Sequence, residues 1–235
     1  MSMNTNPGID AMFAAGCHFG LGRSRRSPSI AEYVFITKNG TDIFDLEKTV
    51  SLLDVAKKYV SSLGKEGKTL LFVGGKKEAS AATKFGAQAV GMPYIDGRWI
   101  GGSLTNFSQV RKRIDRFEKL VFDREKGELA KYTKRERMLI DKEISKLEKM
   151  FFGIVSMKKL PDALFIIDPR HEKNAVCEAM NIKVPIIALA NSDCNIDMVK
   201  YPIIGNDSSK LSIQFFVTEI VKAYEDGKKE AVKKI

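Results

Sequence analysis

The segment TLLFVGGKKEASAATKFGAQAVGMPYID, residues 69–96, decides the fold. It begins with the apolar run Thr69–Val73, turns at Gly74-Gly75, continues through a helical pattern at Lys77–Val90 and ends with a β-prone run at Pro93–Asp96. A strand, a helix and a strand in this order predict a β-α-β unit with parallel strands. The first run is apolar throughout, which is typical of a strand covered by helices on both faces.

The same alternation returns in the last third of the chain. The predicted elements there are a strand at Asp162–Asp168, a helix at Glu172–Met180, strands at Val184–Ala190 and Tyr201–Ile204, and a terminal helix at Ser208–Tyr224 capped by Asp207 or Ser208. Strands interleaved with helices indicate a three-layer α/β fold, in which helices cover a doubly wound, mostly parallel sheet of the Rossmann or flavodoxin type.

The N-terminal part predicts a small β-hairpin and a long helix. The predicted elements are a short helix at Ile9–Ala15, an irregular basic loop at Gly16–Pro28, strands at Tyr33–Thr37 and Asp42–Leu46, and an amphipathic helix at residues 46–63. Asn39-Gly40 lies between the two strands, and this dipeptide is the strongest short-range signal for a hairpin turn.

Residues 107–157 have no strand character and predict a helical hairpin. Apolar residues recur at steps of three and four in two series, Phe107, Val110, Ile114, Phe117 and Val121, then Ile140, Ile144, Leu147 and Phe151. Thr133 and Glu136 form a capping-box pattern before the second series. Matching seams and a short link predict an antiparallel coiled coil. We therefore expect a discontinuous α/β domain at 1–106 and 158–235, with this hairpin inserted.

The hairpin is too charged to lie in a core. Residues Phe107 to Leu160 include 16 Lys or Arg and 9 Asp or Glu. We expect the hairpin to protrude, with its surface in solvent or on a partner. For most of these charges a solvated, salt-bridged helix face is as good an interpretation as direct contact with RNA.

The charge balance of the whole chain indicates a polyanionic partner. Lys and Arg number 39 against 29 Asp and Glu, a net charge of +10 with a pI near 9.4. Nucleic acid and an anionic membrane surface both fit, and so does a merely soluble basic protein. No run approaches the roughly 18 to 20 apolar residues of a membrane span. Three widely spaced cysteines and the absence of a leader pattern predict the cytosol.

Two features could belong to an enzyme. Gly74-Gly75-Lys76-Lys77 lies where phosphate-binding loops lie, but it matches neither GxGxxG nor GxxxxGK[ST], so a tight turn with two exposed lysines is the alternative. His171 follows a strand end and could be a general base. No nucleophile motif accompanies it, and Asp168 capping a turn explains the same residues.

Thiol and imidazole groups lack the spacing of a metal site. Cys17, His18, His171, Cys177 and Cys194 do not form pairs two to four residues apart, which structural zinc normally uses. We therefore predict no metal site.

Arginines in loops are the most informative cations. Arg23, Arg25 and Arg26 lie in a Gly- and Ser-rich loop, and a guanidinium fork holds phosphate oxygens bidentately. Arg98 and Trp99 pair a guanidinium with a large π-face, which can grip a phosphate and stack on a base. The alternative for this pair is a buried Trp99 on a tight turn with Arg98 in solvent.

The motifs together resemble one family over nearly the whole chain. They are AAGCHFGLGRSRRSP (14–28), DLEKT (45–49), LLFVGGKKEAS (70–80), RWIGGSLTNF (98–107), LPDALFIIDPRHEKNAV (160–176) and VPIIALANSDCNIDMVKYPIIGND (184–207). In this order they resemble the bacterial small-subunit ribosomal protein S-two family.

The resemblance implies a parallel-sheet α/β domain with a helical hairpin, seated on small-subunit ribosomal RNA in the cytoplasmic ribosome. It also implies no enzymatic activity, no cofactor, neighbouring small-subunit proteins as partners, and recruitment of ribosomal protein S-one and hence messenger RNA. The predicted RNA-binding residues are Arg23, Arg25, Arg26, Lys76, Lys77, Arg98, Trp99, Asn106 and Arg111.

The chain departs from the family pattern after His18-Phe19-Gly20. The family continues with a His and a Gln and then an aromatic-Asn-Pro, whereas this chain has Leu21, Gly22 and Arg26-Ser27-Pro28. A metal site built on paired histidines is therefore not expected, and the arginines of residues 23–26 are expected to replace the missing polar contacts.

Overall fold

The computed structural model describes residues 7–232. In chain order its helices and strands are α1 (Pro7–Ala14), β1 (Phe19–Gly22), β2 (Val34–Lys38), β3 (Thr41–Phe44), α2 (Leu46–Lys65), β4 (Leu70–Val73), α3 (Lys77–Val90), β5 (Tyr94–Ile95), α4 (Phe107–Glu125), α5 (Lys134–Phe151), β6 (Ala163–Ile167), α6 (Lys173–Asn181), β7 (Ile186–Ala190), β8 (Tyr201–Ile204) and α7 (Lys210–Val232).

The central sheet is parallel throughout, with the strand order β5-β4-β6-β7-β8. Every residue of β4, β6 and β7 is buried, as their continuous apolar runs predicted. Leu70 and Phe72 of β4 pack with α2, α3 and α7, whereas Leu71 and Val73 pack with α6 and Trp99. The prediction of a parallel sheet covered by helices on both faces is confirmed.

The strand order creates a crevice at the carboxyl edge of this sheet. The chain runs outward from β4 to β5 and then returns to the other side of β4 to form β6, so the winding reverses between β4 and β6. Open α/β sheets place their ligand sites at such a reversal. Lys76 follows β4 and Asp168 follows β6, so both residues lie at the crevice.

A second, antiparallel sheet has the order β1-β3-β2. The predicted hairpin is confirmed: Asn39 (φ 51°) and Gly40 (φ 75°) adopt the left-handed conformation that a type I′ turn requires. The prediction that 16–28 is irregular is wrong in part, because Phe19–Gly22 pairs with β3 as strand β1. The hairpin leaves an edge of β3 free, and this segment covers it.

The two long helices beside the central sheet extend further than predicted. Helix α2 continues to Lys65, and α7 continues beyond Tyr224 to Val232. The expected N-cap, Asp207 or Ser208, is also wrong: Asn206 Oδ1 accepts hydrogen bonds from the N–H groups of Ser208 (2.9 Å) and Ser209 (3.3 Å), and α7 begins at Lys210.

Helices α4 and α5 are inserted between β5 and β6. Thr133 and Glu136 form the predicted capping box. Arg116 of α4 pairs with Glu143 of α5 at 2.8 Å, and Arg111 near the start of α4 contacts Val155 just beyond the end of α5, so the helices lie side by side in opposite directions. The most buried members of the predicted seams are Val110, Ile114, Phe117, Ile144 and Phe151. A coiled coil at 107–157, and its status as a separate domain, remain predictions.

Candidate nucleic-acid interface

Two of the predicted RNA-binding arginines are exposed on one short turn. Arg23–Arg25 form a 3-10 turn directly after β1, and the turn is fixed because Arg23 N–H donates to the carbonyl of Gly40 at 2.9 Å. The side chains of Arg23 and Arg25 are exposed, and neither forms an ion pair with any residue of the described range 7–232. Both guanidinium groups are therefore presented to solvent.

Arg26 has a different role from its neighbours. Its Nε and Nη2 donate to the two carboxylate oxygens of Asp42 at 2.8 and 2.5 Å, and Nη2 also donates to Thr37 Oγ1 at 2.7 Å. The Asp42 side chain is fully buried. Burial works against its ionisation, but Arg26 and Thr37 outweigh burial and hold the pKa of Asp42 below its usual range. The expectation of three equivalent, available arginines therefore holds for two of them.

Lys76 lies inside the crevice rather than on the surface. Its ammonium pairs with Asp168 and, at 2.8 Å, with Asp207. Burial disfavours the charged form of Lys76, but the two carboxylates outweigh it and raise the pKa of Lys76. Of the two lysines expected to be exposed at this turn, only Lys77 is exposed. The strand order explains the correction, because it brings two carboxylates beside Lys76.

Lys76, Asp168 and Asp207 form a cluster, the Lys76 cluster, in which the pKa values of the two carboxylates shift in opposite directions. Burial opposes ionisation of Asp168, but Lys76 and the His171 N–H outweigh it and lower the pKa of Asp168. Burial and the charge of Asp168 raise the pKa of Asp207, even though Lys76 and Asn191 also contact it. Asn191 Nδ2 donates to Asp207 Oδ1 at 2.6 Å. Residues that follow β4, β6, β7 and β8 therefore form one buried polar network.

The N-terminal segment closes this edge of the sheet. Leu21 N–H donates to Ser192 Oγ at 3.0 Å, and Ser27 N–H donates to the Ser192 carbonyl at 2.7 Å. Asn206 Nδ2 donates to the carbonyl of Gly16 at 3.0 Å. The N-terminal segment therefore covers the part of this edge that follows β7 and β8.

The two glycine N–H groups of the turn after β4 also donate hydrogen bonds within the protein. Gly75 N–H donates to Glu172 Oε1 at 3.2 Å, and Gly74 N–H donates to the carbonyl of Ile95 at 2.9 Å. His171 Nδ1 contacts the same Glu172 oxygen at 2.8 Å. The backbone N–H groups of both glycines are therefore engaged within the fold.

Asp168 caps the turn that follows β6. Its Oδ1 accepts the N–H groups of Arg170 and His171 at 2.9 and 3.0 Å, and its own φ is 61°. This arrangement agrees with the interpretation of Asp168-Pro169-Arg170-His171 as a capped turn. Within the described range 7–232, no group of three or more His, Cys, Asp or Glu side chains is placed to hold a metal ion.

Trp99 is buried, so its expected role as a base-stacking surface is wrong. Its side chain is 5% exposed, and Nε1 donates to Glu178 Oε1 at 3.0 Å. The apolar core around Leu71 and Ile166 takes up the ring. Arg98 remains exposed beside it. The alternative drawn from the sequence, a buried Trp99 with Arg98 in solvent, is confirmed.

Glu178 organises the loop around Trp99, and sequence reasoning missed it. Its carboxylate accepts the Trp99 indole N–H and the backbone N–H groups of Gly102 (2.8 Å), Leu104 (3.0 Å) and Thr105 (3.2 Å). Burial opposes ionisation, but these donors outweigh it and lower the pKa of Glu178. Glu178 is 79 residues from Trp99 in sequence, so no local pattern indicates the contact.

The two remaining predicted residues lie at the start of α4. Asn106 is exposed at the N-cap position, and its side chain makes no capping hydrogen bond. Arg111 instead ties α4 to the segment before β6: Nη1 donates to the carbonyl of Val155 at 2.8 Å, and the guanidinium also pairs with Asp115 and Glu118. The structure therefore leaves Arg23, Arg25, Lys77, Arg98 and Asn106 accessible.

Comparison with known proteins identifies the family. A sequence model of the family described as Ribosomal protein S2 matches residues 12–227, most of the chain. The protein is 40% identical over 217 residues to the small ribosomal subunit protein uS2 of Dictyoglomus thermophilum, covering 92% of this chain and 88% of that protein. It is 37% identical over 220 residues to the uS2 of Coprothermobacter proteolyticus, covering 94% and 82%.

The chain belongs to the uS2 family of small-subunit ribosomal proteins. Membership makes it a structural constituent of the small ribosomal subunit, in an assembly of ribosomal RNA and other proteins, and not an enzyme. In this uS2 chain the crevice between β4 and β6 holds the ion pairs of Lys76 with Asp168 and Asp207. Among residues 7–232, no helix is both long and apolar enough to span a bilayer.

Proposed function

We propose that the protein holds small-subunit ribosomal RNA through exposed cationic side chains of its loops, in the cytoplasmic ribosome. Arg23 and Arg25 carry the proposal, since two exposed guanidinium groups that form no ion pair within residues 7–232 share one ordered turn. Such groups bind phosphate oxygens bidentately and recognise RNA by its backbone rather than by its sequence. Lys77, Arg98 and Asn106 supply further contacts from two other turns.

The matched test replaces Arg23 and Arg25 by Ala and compares the variant with Lys58→Ala/Lys228→Ala. The control removes the same charge from exposed residues of α2 and α7 that make no ion pair within the described range. Affinity for protein-free small-subunit RNA should fall about tenfold in the arginine variant. The slope of log K against log salt concentration should flatten by roughly 1.5, because each lost phosphate contact reduces the magnitude of this slope by about 0.7 to 0.9.

The control should bind within about twofold of the parent chain at the same salt concentration. Circular dichroism and thermal melts of each variant establish that both remain folded. Unchanged affinity and unchanged slope in the Arg23/Arg25 variant would remove the proposal.

A second part of the proposal is that the protein supports recruitment of ribosomal protein S-one, and through it messenger RNA. The resemblance of the motif series at 98–107 and 160–207 to the bacterial family supports this part. Small subunits assembled without the protein should retain little S-one in an immunoblot and regain it when the protein is added. Equal amounts of S-one on both kinds of subunit would contradict recruitment and leave RNA binding untouched.

A further inference from the structure

Three concavities lie end to end along one face of α5 and continue onto the α/β body. The first (≈ 790 Å³) and the second (≈ 440 Å³) share Met138 and Asp141. The second and the third (≈ 510 Å³) share Ser145 and Lys149, and the third reaches Arg98. The first two concavities are lined by α5 alone, and neighbouring concavities share lining residues, so together they form one continuous face of α5 that reaches the α/β body, which we call the α5 groove.

The α5 groove is strongly cationic. Its acidic lining residues are Asp96, Asp141 and Glu148. Its basic lining residues are Lys84, Arg98, Lys134, Arg135, Arg137, Lys142, Lys146 and Lys149. None of these eight side chains forms an ion pair within the described range 7–232, and all except the half-buried Lys84 are exposed. This density of unpaired charge distinguishes the groove from a salt-bridged helix face.

The cations recur at a spacing that suits a nucleic-acid strand. Lys142, Lys146 and Lys149 follow one another at four and three residues, so they lie on one side of α5, about 6 and 4.5 Å apart along the axis. A duplex strand carries one negative charge for roughly every 3.4 Å of its axis, so each lysine can face a phosphate. Helix α5 has 18 residues and is therefore about 27 Å long.

We propose that the α5 groove binds the sugar-phosphate backbone of RNA along α5, and that Arg98 continues this contact onto the α/β body. The inference rests on the RNA binding proposed above and assigns it a second surface. An extended polyanion fits better than a compact acidic patch, because the eight cations are spread over the whole helix and the neighbouring edge of the body. This surface is also independent of the Arg23–Arg25 turn.

The test uses two triple variants of the full chain. Lys142→Ala/Lys146→Ala/Lys149→Ala removes three positive charges from the middle of the groove. Lys112→Ala/Arg113→Ala/Lys119→Ala removes three exposed cations from α4 that line none of the three concavities. The groove variant should bind protein-free small-subunit RNA at least tenfold more weakly, with a salt slope flatter by about 2, whereas the α4 variant should stay within roughly threefold.

Failure of the inference is distinguishable from failure of the proposed function. If the two triple variants lost equal RNA affinity while the Arg23/Arg25 variant still bound RNA more weakly than the parent, the groove would not be an RNA-binding surface. RNA binding through the Arg23–Arg25 turn would remain supported. A groove variant that binds free RNA normally but is lost from intact small subunits would assign the groove to a protein partner and also overturn the inference. Circular dichroism of each variant excludes loss of the helices as the cause.

Discussion

Arg25 and Arg26 are neighbours in sequence, but only Arg26 lies within hydrogen-bond distance of a buried carboxylate. The partner, Asp42, is 16 residues away and comes close because the chain turns at Asn39-Gly40. The sequence therefore predicts that a cluster of arginines is present, whereas the pairing across the sheet decides which of them is free.

Replacing Arg26 by Ala should be far more destabilising than replacing Arg25. The first change leaves the fully buried Asp42 carboxylate without its guanidinium partner, which typically costs about 3 to 5 kcal/mol of unfolding free energy. The second removes an exposed side chain and should cost less than about 0.5 kcal/mol. Urea unfolding of both variants at neutral pH measures the difference, and equal midpoints would contradict the structural role of Arg26.

Glu178 is the residue on which the loop around Trp99 depends. Glu178→Gln replaces two accepting oxygens by one and turns an NH₂ group toward donors, so we expect a loss of roughly 2 to 3 kcal/mol near neutral pH. The single tryptophan of the chain reports the loop directly, because its indole N–H is bonded to Glu178. A variant with unchanged stability and unchanged Trp99 fluorescence would argue against this account.

The Glu178 contribution should depend on pH in a defined direction. The pKa of Glu178 is lower in the folded chain than its ordinary value of 4.5. Its stabilising effect is therefore complete above about pH 4.5 and is lost as pH falls through the folded-state pKa. The stability difference between parent and Glu178→Gln should shrink between neutral pH and about pH 3.5, and a constant difference would contradict the assignment.

At the scale of elements, α2 and α7 cross with little room between their backbones. A Cβ added to Gly64 would lie 2.3 Å from the carbonyl oxygen of Tyr224, and one added to Gly227 would lie 2.1 Å from that of Ser61. The sequence predicted α2 to end near Gly64, because glycine commonly ends a helix. Helix α2 does end there, at Lys65, and Gly64 also allows the close crossing with α7.

Gly64→Ala should therefore destabilise the protein, although alanine favours helix by about 1 kcal/mol over glycine. The clash is with backbone, so the helices must move apart, and we expect a net loss of roughly 1 to 3 kcal/mol. Lys58→Ala, an exposed change in the same helix, is the control and should be nearly neutral. A thermal melt in which Gly64→Ala is the more stable variant would refute close packing at this crossing.

Elements with a strong local pattern were predictable. The buried runs of β4, β6 and β7, the Asn39-Gly40 turn and the Thr133–Glu136 capping box all carry their signal in adjacent residues. Strand β1 was missed because its burial pattern is not alternating and its pairing depends on the free edge of β3. Local pattern thus predicts an element where the signal lies in the residues of that element itself.

At the scale of the molecule, the carboxyl edge of the sheet is closed. Lys76 joins carboxylates that follow β6 and β8, and the second of these is 131 residues away in sequence. The glycine turn therefore lies where phosphate-binding loops lie in the chain, but Lys76 joins two buried carboxylates there, and only Lys77 is exposed. The accessible cations of the proposed interface are Lys77, the two arginines of the Arg23–Arg25 turn, Arg98 beside Trp99, and the basic residues along α5.

The most direct test of this account is ultraviolet crosslinking of intact small subunits, followed by mass spectrometry of the peptides attached to RNA. We predict RNA adducts in the segments 19–27 and 97–106 and on α5, with none in residues 168–172 or 206–209 at the closed edge. Adducts confined to the α2–α7 layer, or to the closed edge, would contradict it.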